Sequence, residues 1–149
     1  MRIALFLLLC SFTLISGNGK LAFKPLSSGQ NSNVMIQKQD IIHSKKEFTT
    51  LWTQLRRTEY MMGSIAPEVD FSKNSVVACY MGDQSNGIQI DSVKSSGNTL
   101  MIYESKIELG ATCGDAALLV TPFALIEVDG TKWTKADADV RVKNVDCGE

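Results

Sequence analysis

One histidine, His43, serves the whole 149-residue chain. Paired-imidazole sites are therefore excluded, and the cysteine spacings around His43 do not form a zinc signature. Charge of either sign is not in excess, with 15 basic and 16 acidic side chains. No basic block or basic-aromatic stripe occurs, so the footprint of a nucleic-acid binder is missing, and Lys45-Lys46 and Arg56-Arg57 read as solvated surface. The glycines do not build a phosphate cradle: Gly82 and Gly87 bracket a loop with no Lys-Ser or Lys-Thr pair and no following helix. Asp83, Asp91 and Asp115 lack calcium-loop spacing. There is no repeat and no low-complexity block, and no metal or other cofactor is expected.

Long apolar runs are confined to Leu5–Ile15, too short for a comfortable membrane span. This run follows Arg2 and precedes the small residues Ser16, Gly17 and Gly19, which is the order of a secretory signal peptide over residues 1–19, cleaved near 17–19. Cys10 raises the question of a lipid anchor. Leu9 stands where lipoproteins carry a small residue, so Cys10 reads as part of the discarded segment. What remains is roughly 130 residues, enough for one domain with a real core.

Three further cysteines are Cys79, Cys113 and Cys147. In an exported chain an odd count leaves one thiol over. Cys79 lies in an apolar run and reads as a small buried thiol. Cys113, in a Gly-Ala-Thr-Cys-Gly loop, and Cys147, in the terminal tail, are the candidate disulfide, which would tie down an end that otherwise frays.

Residues 20–33 are rich in Ser, Gly, Asn and Gln and read as a flexible lead-in. A strand is expected over Val34–Ile42. From Ser44 to Arg57 the pattern is helical: Ser44 and Glu47 form a capping box, and Phe48, Leu51, Trp52 and Leu55 make one apolar stripe. Trp52 is read as the anchor of this helix on a sheet, and His43 as a spacer before its cap. Met61–Pro67 connects to a polar turn through Glu68 and Asp70. Ser75 to Gly82 then reads as a buried central strand ended by glycine. Further strands are expected at Ile88–Val93, Thr99–Ile107 and Phe123–Val128, with a short one at Leu118–Thr121. Asp129-Gly130 is a tight-turn signal, and Ala138, Val140 and Val142 alternate with charges as an edge strand does. The fold class is α+β: a mostly antiparallel sheet of about six or seven strands covered by one amphipathic helix.

Catalytic candidates are few. Ser64, Ser72 and Ser75 have no nucleophile-elbow context. Glu68 and Asp70, two apart, are a carboxylate pair that could run acid-base chemistry, but the plainer reading has Asp70 bonding backbone N–H groups of its own turn. No catalytic residue is assigned. Gly82, Asp83, Gln84, Ser85, Asn86 and Gly87 form a glycine-bounded polar loop between strands, which is either a hairpin connection or a shape offered to a partner.

Asp70-Phe71-Ser72, Val76-Val77, Met81-Gly82 and Asn86-Gly87-Ile88, together with the Trp52 helix, Tyr103-Glu104 and Thr121-Pro122-Phe123, resemble the C-terminal domain of the bacterial protease-complex subunit PrcB family over about residues 46–128. The family carries two glycines and an aromatic where this chain has Asn86-Gly87-Ile88. The resemblance implies an exported, non-enzymatic accessory domain in the periplasm or at the cell surface, with a protease or another envelope protein as partner. Three alternatives are a secreted protease-inhibitor-like domain presenting the 82–87 loop, a small-ligand binder using Trp52, and a hydrolase using Glu68 and Asp70.

Overall fold

The computed structural model describes residues 19–58, 65–83, 85–113 and 120–147. The expected signal peptide, apart from Gly19, therefore lies outside the described residues, as do Gln84 and the Leu118-Leu119 part of the expected short strand. Thr121 stands outside the strands and forms an isolated parallel bridge with Asn31.

Among the described residues, eight strands and one α-helix follow in the order β1 (Lys20–Leu21), β2 (Phe23–Gly29), β3 (Gln37–Ile42), α1 (Lys45–Thr58), β4 (Asn74–Met81), β5 (Gly87–Ser96), β6 (Thr99–Leu109), β7 (Phe123–Asp129) and β8 (Lys135–Val145). They build two four-stranded sheets, ordered β1-β5-β6-β8 and β2-β7-β4-β3. The expected single sheet of six or seven strands is thus corrected to eight strands in two sheets. Neighbouring strands are antiparallel except β6 and β8, which run parallel in register from Thr99↔Lys135 to Leu109↔Val145.

The extra strands come from residues 20–33, which the composition marks as a lead-in. β1 pairs with β5 and β2 with β7. Their identity is hidden because β2 is an edge strand: Pro25 interrupts it beside a register shift, and its serines leave no clean alternation. Proline is tolerated there because one side of an edge strand has no ladder to complete.

α1 begins as its capping box dictates, with Glu47 N donating to Ser44 Oγ and His43 N to Glu47 Oε2. Its apolar stripe lies on the sheet that contains β4. Ile42, Phe48, Trp52, Leu55, Val76, Ala78, Tyr80, Phe123 and Leu125 form this helix-side core, with Leu51 and Phe71 packed at its margin. Phe48 and Phe71 are tilted rings 5.9 Å apart. A second core lies between the sheets, from Val77, Cys79, Val93, Leu100, Ile102, Ile126, Val128 and Trp133. β4 supplies alternate residues to both cores. That is why Val76–Met81 is an unbroken apolar run: a strand covered on both faces has no solvent side to mark.

The tail is closed as the sequence suggests. A Cys113–Cys147 disulfide joins the loop after β6 to the residues after β8, while Cys79 is a free, buried thiol. β8 is an edge strand. No helix among the described residues is long and apolar enough to cross a membrane.

Candidate functional site

At the Gly82 end, β3, β4 and β6 open on a mouth between the two sheets. Gln37 pairs with Met81 and Gln39 with Cys79. On the facing sheet, Glu104 and Lys106 stand two apart on β6. Because side chains of like parity share a face of a strand, these residues form two layers. The outer layer is a cavity of about 280 Å3 lined by Met35, Ile36, Gln37, Met81, Gly82, Asp83 and Lys106. Beneath it sits a polar group inside the apolar core: Gln39, Cys79 and Glu104.

Glu104 is completely buried. Gln39 Nε2 donates to its carboxyl, at 3.2 Å from Oε1 and 3.4 Å from Oε2. Burial pushes the Glu104 carboxyl up to about 7, although bonds from the Cys79 thiol and the Gln39 amide act in the opposite sense. Burial likewise raises the Cys79 thiol well above its ordinary range, and the neighbouring Glu104 raises it further. A thiol held protonated and out of solvent is not a nucleophile. The trio is therefore a hydrogen-bonded plug under the mouth, satisfied at the sheet interface as buried polar groups must be.

The rim is apolar and open. Met35 is 48% and Ile36 67% exposed, unusual for side chains of their size beside a core. Val142, 58% exposed, pairs in register with Lys106, and Lys106 Nζ is held 2.7 Å from Glu108 Oε1. Gly82 brings this rim together. Its φ is +78°, and a Cβ there would lie 3.0 Å from Met35 O and 3.2 Å from Gln37 N. Glycine alone allows the strand end to pass so close to the segment before β3.

The 82–87 loop is largely folded inward. Gly82, Ser85 and Gly87 are buried, and Asp83 and Asn86 half-buried. Ser85 Oγ donates to Gly87 O at 2.6 Å and accepts from Gly87 N at 3.1 Å. Asn86 N donates to Ile107 O, and Asn86 Oδ1 accepts from Leu109 N. Bonds therefore tie Ser85, Asn86 and Gly87 to their neighbours, while Met35 and Ile36 beside them are exposed. The sequence pattern did not mark them, because Val34–Gln37 read as the start of a strand.

The other candidates sit elsewhere. Asp70 Oδ1 accepts from the backbone N and hydroxyl of Ser72, and Lys73 Nζ lies 3.4 Å from Oδ2. The Ser72 bonds, side chain first, hold its carboxyl below the usual range. The carboxylate is turned into its own turn, and Glu68 is exposed. Trp52 is buried in the helix-side core, and its indole N–H has no hydrogen-bond partner. It packs as an anchor for α1.

His43 does meet a serine, a pairing the sequence reading did not propose. His43 Nδ1 is 3.2 Å from Ser75 Oγ, but Ser75 donates its own proton to Gly130 O at 2.8 Å. The imidazole can then only donate to that oxygen, and a buried serine with its proton committed to a carbonyl is not activated. Among the described residues, no three His, Cys, Asp or Glu side chains are grouped to hold a metal ion.

No protein-family model, curated protein or solved structure matches the chain.

Proposed function

We propose that the protein is an exported, non-enzymatic accessory module that binds another protein through the mouth between its sheets. Met35 and Ile36 carry the reading: two large apolar side chains, 48% and 67% exposed, stand together on a rim that Gly82 holds rigid. Single exposed apolar residues are ordinary, but a pair at the lip of a cavity with a charged lysine beside it has the make-up of a small interface core and its polar rim. The resemblance to the PrcB C-terminal domain supports a partner in the cell envelope, a protease being the first to test. The Cys113–Cys147 disulfide is of the kind an oxidising compartment preserves.

The test compares the purified protein with a Met35→Ser/Ile36→Ser variant as bait in an envelope extract, after thermal melts show that both are folded. A partner retained only by the native form supports the reading, whereas equal retention by both moves the contact away from the mouth. If the partner is a protease, its turnover separates two roles. An accessory subunit leaves turnover unchanged or raises it, and an inhibitor lowers it.

A further inference from the structure

Along the edge that carries β1 and β2, the two sheets part. β5 pairs with β6 from Gly87 to Ser96. Among the described residues, it is paired on its other side only at Val93 and Lys94, by Leu21 and Lys20, with one more bond from Ser95 N to Gly19 O. The chain then crosses at Ala22 and continues as β2 in the other sheet. Among the described residues, the Gly87–Ser92 stretch of β5 has no strand on that side. Between it and β2 lies a cavity of about 350 Å3 whose apolar walls are Phe23, Leu26, Ile88, Ile90, Ala124 and Ile126. The opposite edge is different, since β3 lies against β8 there and Gln39 bonds across to Glu104.

We propose that this edge takes an extended segment of a partner polypeptide, lying end to end with β1 and antiparallel to β5. An unpaired strand edge presents main-chain donors and acceptors in a row, and here the row borders an apolar wedge. A small apolar ligand would fill the wedge and leave the row unmet. A rounded protein surface would meet neither. An extended strand does both, because its backbone completes the ladder while every second side chain points inward.

The β1–β5 pairing already makes this interface for two residues, which sets the direction. A register shift between Ile90 and Ser92 interrupts the ladder at Asp91. Regular pairing is therefore with Gly87–Ile90, and the partner's inward side chains lie against Ile88 and Ile90. This surface is separate from Met35 and Ile36, so it stands or falls independently of the mouth.

The experiment selects a random-octapeptide display library on the purified protein with its disulfide intact, then maps one enriched peptide by amide hydrogen exchange. The expected peptides carry apolar residues at alternate positions, and their binding slows exchange in β5 between Ile88 and Ser92 while Met35–Gln37 is unchanged. Placing proline at the peptide's centre removes a ladder donor and should weaken binding by about tenfold or more. Ile88→Lys should do the same, and the proline peptide keeps the test valid if that variant does not fold. No enrichment, protection elsewhere, or a proline peptide that binds equally well would overturn the proposal. So would protection of β5 without peptide in a sample that sediments as a dimer, since the occupant would then be a second copy.

Discussion

Across the gap between the two sheets, the Gln39 side-chain amide donates to the Glu104 carboxyl, at 3.2 Å from Oε1 and 3.4 Å from Oε2, and so pins β3 to β6 at the mouth. It closes the edge of the sandwich opposite β1 and β2, and it holds a carboxyl where apolar side chains would otherwise meet.

Glu104 makes stability depend on pH with a defined sign. Its carboxyl is raised from the ordinary 4.5 to about 7 in the folded protein. Between those values the folded state keeps a proton that the unfolded state has lost, so stability falls as pH rises. The contribution is complete below about 4.5 and gone above about 7. At about 1.4 kcal/mol per pH unit, the loss is on the order of 3 kcal/mol. Urea unfolding of the native protein and Glu104→Gln at pH 5, 6, 7 and 8 checks it: the native curve should drop relative to the variant between pH 5 and 7 and level off by pH 8, and curves parallel from pH 5 to 7 would contradict the assignment.

Gln39→Leu removes the donor and leaves a buried carboxyl with the Cys79 thiol alone. The expected cost is about 1–3 kcal/mol, the penalty for an underbonded buried polar group. The double variant Gln39→Leu/Glu104→Leu should recover most of it. A double variant that is less stable than Gln39→Leu would mean that the pair is not coupled.

Gly82→Ala is expected to destabilise by about 1–3 kcal/mol, because it combines a left-handed backbone with a close approach to Met35 O. Its second effect is local: the rim should loosen, visible as faster amide exchange at Met35–Gln37. A fully tolerated alanine would show that the rim is not held at Gly82.

Cys147→Ser opens a crosslink between residues 34 apart. A loop of this length corresponds to about 3–4 kcal/mol in the chain-entropy account. The loss should appear first as faster exchange near Val145, where β8 ends and Gly110 N donates to Val145 O. Unchanged denaturation midpoints for Cys147→Ser and the native protein would contradict this.

Local chemistry was legible wherever a segment's own pattern decides its state. Ser44 and Glu47 start α1 because capping involves only neighbours in sequence. Phe48, Trp52 and Leu55 share a face because a helix has a fixed period, and Asp70 turns onto Ser72 because its partner is two residues away. Cys113 and Cys147 were the pair with backbones free to meet.

The site was hidden for the opposite reason. Glu104 continues the inward alternation of Leu100 and Ile102, a signal that could have placed it in the core. Nothing local shows that Gln39, 65 residues earlier, waits there to bond it. The splitting of the strands into two sheets was equally invisible, because a run buried on both faces, such as Val76–Met81, reads alike whether a helix or a second sheet lies above it. By itself the sequence determined the helix and most strand positions, and it offered the crosslinked pair as a candidate, because these depend on period, caps and loop ends. Only the tertiary structure decided which strands face each other, and therefore where a carboxyl is buried, where Met35 and Ile36 are left in solvent, and where β5 keeps an open edge.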